Sequence, residues 1–344
     1  MRPPGWAAMR GFIAKVAIGP EASRDLTEAE AHEAMRLCLD RSASDVQIAV
    51  LLVAERLKRE TEAENLGFLR ALVDASNLGA APCDEVANLG DPYDGFDRGP
   101  HFAPVVAAVL GACGLPAVVH GAVHMPPKDG VTHRRVLEAL GRRLDVGRGA
   151  DSVKAAALRA AEHGAAYVDL EDGCPALHAL TSLREEIAKR PALSTLEKLV
   201  APIRGRAATH VVSSYVHAGY DTLMASLCHR IGFATSLIVK GREGHLDCHA
   251  HRVTAAFGHT LGRAAAPVAI PPLDGAAEPS FEPATPENVG AMWMEALSGR
   301  DGWPGQVTVA TAAAILRQAG RDDALRRARE ALVSGRARGV FDEI

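Results

Sequence analysis

Residues 104–141, PVVAAVLGACGLPAVVHGAVHMPPKDGVTHRRVLEALG, decide how the rest of the chain is read. Val105, Val106, Val109 and Leu110 recur at helical spacing, and the run breaks at Gly114. Pro116 to His120 is a short valine-rich stretch bounded by Pro and Gly, which predicts a buried strand. A loop dense in Pro, Lys, Asp and Gly follows. Val136, Leu137 and Leu140 then share one side of a helix that Gly141 stops. Helix, strand, loop and helix in that order form the building block of an α/β sheet. Such sheets bind ligands beyond the carboxyl ends of their strands, so the segment Gly121 to Gly130 lies where chemistry is expected.

Working outward, 344 residues exceed what one compact core usually supports, and two structural units are expected. Hydrophobic residues at 48% and charged residues at 23% describe an ordinary globular protein. The net charge of −4 argues against nucleic acid as the main partner, because phosphate affinity needs clustered Lys and Arg. Aromatics at 4% leave few rings for stacking on single strands. Six cysteines form no CxxC pair, and Met1 to Gly19 carries Arg10 and Lys15 where a secretory signal would be apolar. Reduced thiols in a cytoplasmic protein are expected, and no apolar run is long enough for a membrane span.

Residues 1–80 read as helices. Thr27 with Glu30, Ser44 with Gln47 and Thr61 with Glu64 each match the capping box, in which hydroxyl and N3 side chain satisfy each other's amides. The second of these helices carries Val46, Ile48, Leu51, Leu52 and Leu57 over a wide arc, more than one neighbour needs, which points to a second copy of the chain as partner. Gly79 to Pro104, rich in Gly, Pro and Asp, reads as a connecting loop. Beyond the opening stretch, helices over Asp151 to Glu162, Pro175 to Lys189 and Tyr220 to Ile231 alternate with strands over Ala165 to Leu170, Ala207 to Val216 and Phe233 to Val239. The segment past residue 263 up to Pro283 reads as irregular. Thr285 and Pro286 then start a helix, and helices over Val307 to Gln318 and Asp322 to Ser334 close the chain. The fold class is α/β: a small N-terminal helical domain, residues 1–80, and a larger domain, residues 81–344, with a mostly parallel central sheet flanked by helices.

The run ASDVQIAVLLVAERLKRETEAENLGFLRAL (Ala43 to Leu72), followed by GLPAVVHG and VLEALG, resembles the anthranilate phosphoribosyltransferase family, also called glycosyltransferase family 3. The resemblance implies a homodimer formed through the N-terminal helices. It also implies an interdomain cleft in which phosphoribosyl pyrophosphate and Mg²⁺ meet a small acceptor. Its motifs are altered here. The GTGGD loop, whose bare amides wrap pyrophosphate, corresponds to Asp91-Pro92-Tyr93-Asp94-Gly95; two carboxylates, a proline without its donor and a ring stand where glycines are needed. KHGN becomes Val119-His120-Gly121-Ala122, and an SKSG-like segment becomes Lys128-Asp129-Gly130. The Mg²⁺-binding Asp-Glu pair becomes Asp247-Cys248, a thiol replacing one hard oxygen ligand. Arg184 and Arg190 match arginines placed beside the acceptor. This pattern resembles a divergent branch of the family, some of whose members bind nucleic acid without the transferase activity.

Each candidate has a plainer alternative. Asp91, Asp94 and Asp97 with Arg98 form either a ligand-gathering loop or a solvated turn. His120, at a strand end, is expected in the ligand pocket, with proton transfer the bolder role and a hydrogen-bonded structural residue the plainer one; His124 follows it in the loop. Lys128, stiffened by Pro126 and Pro127 and followed by Gly130, is the best contact for phosphate or carboxylate, against a surface lysine in a turn. His245, Cys248, His249 and His251 have the residue types of a transition-metal site but spacing too dense for a zinc motif. Arg134, Arg135, Arg142, Arg143 and Arg148 make one helix region basic, most simply a solvated face. The expected function is transfer of a pentosyl group to a small acceptor with altered donor binding; the alternative is a non-catalytic protein binding nucleic acid or a metabolite.

Overall fold

The computed structural model describes residues 2–19, 21–144, 147–273 and 277–344. Four helices come first: α1 (Trp6–Val16), α2 (Glu28–Leu39), α3 (Asp45–Lys58) and α4 (Glu62–Asp74). All three capping boxes are formed, each worth about 1 kcal/mol by satisfying amides that a helix start leaves unpaired. Glu64 does more than cap: fully buried, it accepts from Leu26 N and Lys58 Nζ at 2.7 Å each, tying the start of α4 to the entry of α2 and the end of α3.

The chain continues through β1 (Gly79–Ala80), β2 (Glu85–Gly90), α5 (Ala103–Ala112), β3 (Ala117–Gly121), α6 (His133–Ala139), α7 (Ala150–His163) and β4 (Ala165–Asp169). Short helices α8 (Leu170–Gly173), α9 (Pro175–His178), α10 (Thr181–Ile187) and α11 (Leu193–Leu196) lead into a 3₁₀ turn, Glu197–Leu199. Then come β5 (Ile203–Arg204), β6 (Ala208–Ser214), α12 (Tyr220–Ile231), β7 (Thr235–Val239), β8 (Thr254–Thr260) and β9 (Ala266–Ile270). The chain closes with α13 (Pro286–Leu297), α14 (Trp303–Gln318), α15 (Ala324–Val333) and α16 (Arg336–Asp342).

Seven strands form one sheet in the order β4-β3-β2-β6-β7-β8-β9, parallel from β4 to β7 and antiparallel at β8 and β9. This is the expected α/β class. Three local readings are corrected. The supposed loop from Gly79 contains β2, the strand between β3 and β6; Asn88, which made it look unlike a buried strand, is satisfied by Ile203, donating to its carbonyl at 2.8 Å and accepting its amide at 3.1 Å. The supposedly irregular segment contains β9, whose Pro267 is tolerated because an edge strand has one unpaired side. The single helix read over Pro175 to Lys189 is broken into α9 and α10.

Burial explains the layers. Every residue of α5 from Ala103 to Leu110 is fully buried, so this helix is the centre of the core between the sheet and α13 to α16. Each such Val or Leu contributes about 1.5–3 kcal/mol. On the other side, Leu177, Leu193, Leu199 and Met224 share one apolar cluster with Leu51, Leu66 and Leu69, so the helices after β4 pack with the N-terminal four. Part of α3 stays uncovered: Val46 is 73% and Leu57 79% exposed, along a groove of about 550 Å³ that includes Leu183 and Ile187.

Candidate ligand-binding cleft

Gly90, His120 and Ser213 lie side by side at the carboxyl edge of β2, β3 and β6. Gly90 has to be glycine, because a Cβ there would sit 2.2 Å from the Lys198 carbonyl oxygen. Backbone thus meets backbone, and the 3₁₀ turn is brought against the end of β2. From that point the segment 91–98 sends its residues three ways.

Asp94 and Gly95 face forward. With Lys128, Arg190, Lys198 and Arg56 they line a cleft of about 160 Å³ between the helical bundle and the strand ends. Asp94 accepts from Arg190 Nε at 2.6 Å, and Arg56 donates to Tyr220 Oη at 2.8 Å. Lys198 is 6% exposed and donates to Ser214 O at 2.6 Å. Burial pushes its ammonium down to about 8, against the opposing pull of Asp91, Glu197 and Asp94. The turn that carries it is fixed from behind by the fully buried Arg184, which meets Glu197 at 2.6 and 3.3 Å and Ser194 at 3.0 Å.

The cleft also contains an anion of the chain's own. Glu243 accepts from the successive amides of Asp97 and Arg98 at 3.0 Å each and pairs with Lys128, which also donates to Gly95 O at 3.0 Å. Two successive amides and an ammonium form the kind of nest that holds phosphate. Burial alone would raise the Glu243 carboxyl, but His101, Lys128 and these amides hold it well below the usual carboxylate range.

Tyr93 turns inward to His120, whose Nδ1 is 2.5 Å from the phenol oxygen, while that hydroxyl donates to Glu197 O at 3.2 Å. His120 lies outside the cleft lining, against a separate chamber of about 20 Å³, and burial pushes it down to about 3. It is therefore a neutral imidazole held by a phenol, and both rings border that chamber and not the cleft. Asp91 takes the third direction, backwards, towards His133 and His245.

The other expected residues are dispersed. Gly121 abuts Tyr167, and Gly130 donates its amide to Asp94 O at 2.8 Å. His124 is exposed and paired with Asp129, and the Arg98 side chain is exposed while its amide serves Glu243. Arg134 is buried beside Glu138, and Arg142 meets Asp342, so the basic run is not one solvated face. Lys198, Arg56 and Glu243 escaped the sequence reading. For Lys198 a signal existed: a cation between Leu196 and Leu199 at helical spacing has an apolar face around it.

A hard cation does not fit the aligned position. The Asp247 oxygens accept from His101 Nδ1 at 2.9 Å and Phe102 N at 3.1 and 3.3 Å. His101 stands between Asp247 and Glu243, its Nε2 3.7 Å from the latter. The neighbouring Cys248 thiol is buried and pushed up to about 12, so it supplies no oxygen and no thiolate for Mg²⁺. His249 and His251 lie side by side, 6.0 Å between rings, away from the His245 contacts.

Residues 10–76 match the family described as glycosyl transferase family, helical bundle domain. An uncharacterized protein of Aquifex aeolicus is 29% identical over 65% of this chain and 65% of its own length. The crystal structure of anthranilate phosphoribosyltransferase from Thermus thermophilus superposes with a TM-score of 0.77 over 97% of each chain at 22% identity, the same fold. The anthranilate phosphoribosyltransferase of Bacillus caldotenax is 30% identical over 70% of this chain and 93% of its own length. The chain belongs to the anthranilate phosphoribosyltransferase family, glycosyltransferase family 3.

Proposed function

We propose that the cleft binds a phosphorylated pentosyl donor and that the chain transfers the pentosyl group to a small acceptor, with side-chain cations replacing loop amides. The observation that carries this reading is Lys198, a buried ammonium at the strand ends with Arg190, Lys128 and Arg56 lining the same cleft. A displacement of this kind asks the protein to orient two partners and stabilise the charge of the departing phosphate. Cations gathered around one cleft do that, and no covalent intermediate is required. Calorimetry with phosphoribosyl pyrophosphate, with and without Mg²⁺, tests it. Binding that weakens at least tenfold in Lys198→Met supports the reading; no heat at millimolar ligand removes it.

A second reading is favoured by Glu243. Because this carboxylate already holds the amides of Asp97 and Arg98, a non-catalytic protein of the same scaffold would leave that seat to its own side chain. Binding of single-stranded oligonucleotides with steep salt dependence, and no turnover, would select this reading.

The uncovered face of α3 supports a homodimer through the N-terminal helices, since Val46, Val50 and Leu57 are otherwise left in water. Six unpaired cysteines support a reducing compartment such as the cytoplasm. Among the described residues no helix is long and apolar enough to cross a membrane.

A further inference from the structure

Behind the cleft, three donor atoms from separate segments converge. Asp91 follows β2, His133 opens α6 and His245 lies beyond β7. Asp91 Oδ2 is 2.9 Å from His133 Nε2 and 3.3 Å from His245 Nδ1, and the three donors lie within 4.8 Å of one another. All three residues are buried. Asp91 Oδ1 is already engaged, accepting from Leu246 N at 2.9 Å, so Oδ2 is the oxygen presented to the imidazoles.

We propose that Asp91, His133 and His245 supply three ligands of a buried site for a divalent transition metal of the zinc class. Two observations separate this from an ordinary hydrogen-bonded dyad. First, His245 is only 1% exposed, yet its Nδ1 meets Asp91 Oδ2 at 3.3 Å without the geometry of a hydrogen bond and its Nε2 has no partner. An imidazole so poorly satisfied in the interior is costly, and a metal ion would take up the lone pair of Nδ1. Secondly, the spacing fits. Ligands bound at about 2.0–2.2 Å in a tetrahedron lie roughly 3.3 Å apart, close to the two separations from Asp91 Oδ2, 2.9 and 3.3 Å.

The donor chemistry selects the ion. Two imidazoles and one carboxylate suit borderline first-row ions and not Mg²⁺, which prefers oxygen and retains water. The surroundings are dry. His101 stacks on His245 with 3.5 Å between centroids, and Phe96 presents its edge at 5.3 Å from the same ring. Trp293 lies 5.9 Å from His133. A bound ion would pin segment 91–98, the start of α6 and the stretch after β7 to one another, and so hold the floor of the cleft rigid. The site stands whether or not the cleft performs pentosyl transfer.

Elemental analysis of the full chain after incubation with Zn²⁺ and gel filtration tests the proposal. About one equivalent per chain is expected, and Co²⁺ in its place should give visible ligand-field bands. His245→Asn and Asp91→Asn should abolish both signals, while the double variant His249→Ala/His251→Ala should keep them. Should the buried variants fail to fold, a melt of the unaltered chain decides: chelation should lower its Tm by several degrees and Zn²⁺ restore it. Less than about a tenth of an equivalent, metal retained in a folded His245→Asn, metal lost with His249 and His251, or a melt indifferent to chelation would each overturn the site.

Discussion

Asp91 and Asp94 stand three residues apart on one segment and are both buried, at 2% and 6% exposed, yet their partners differ. Asp94 faces a cleft where its partner Arg190 is half exposed, with a side-chain exposure of 53%. Asp91 is 2% exposed and surrounded by imidazoles and the Phe96 ring. The adjacent His245 and His133 outweigh burial and hold its carboxyl well below the usual range. The front of the segment borders the cleft and is paired with a cation that water reaches. The back is dry and fixed. A recognition loop can therefore change its chemistry on one face while the other keeps it in place.

The sharpest way to break this comparison is to remove one charge from each face. Asp91→Asn should cost about 3–5 kcal/mol in urea unfolding, because it strips a carboxylate from buried imidazoles and the Leu246 amide. Asp94→Asn should cost less, about 1–3 kcal/mol, because its buried carboxylate loses a charge-assisted bond but leaves behind an Arg190 that water can reach. Equal losses would erase the distinction. Lys198→Met should weaken binding of pyrophosphate about 10- to 100-fold, the loss of a charge-assisted contact, by calorimetry at pH 7.

The pH dependence separates the same two environments. Lys198, facing Asp91, Glu197, Asp94 and Arg190, has a pKa lowered to about 8 from 10.5. It is charged below about 8, so anion affinity should fall as pH rises through that value and stay flat in Lys198→Met. Folding stability should move the opposite way, increasing from about pH 8 to 10.5 as the folded form sheds its proton before the unfolded one. His120, facing Asp91 and Arg204, is lowered to about 3 from 6.5; the unfolded chain binds this proton first, so stability should decline as pH falls from 6.5. In His120→Asn that part of the acid sensitivity should disappear. The smallest effect on stability belongs to Val46→Asp/Leu57→Asp, within about 0.5 kcal/mol per site, yet it should convert a dimer to a monomer in light scattering.

The scaffold was legible because its signals are local. Three capping boxes, the valines of β3 and the alternation after residue 150 each state their structure within a dozen residues. Strand β2 was hidden because Asn88 finds its partner in Ile203, far along the chain. Strand β9 was hidden because Ala266 to Ile270 is an edge with little to bury. The cleft was legible in part: Asp94, Gly95, Lys128 and Arg190 do line it. His120 was placed there by its position at a strand end, but nothing local showed that it would pair with Tyr93 against a separate chamber. Glu243 and the Asp91 cluster depend on tertiary meetings that no spacing records.

Glu243 has one further consequence. Its backbone sits at φ 53°, a conformation natural to glycine and strained for a glutamate, and the carboxylate's bonds are what compensate. A change to glycine would relax the main chain and vacate the amides of Asp97 and Arg98 in a single step. A diphosphate, offered side by side to the wild type and to the Glu243→Gly protein, is therefore the ligand that measures what this side chain takes from the pocket.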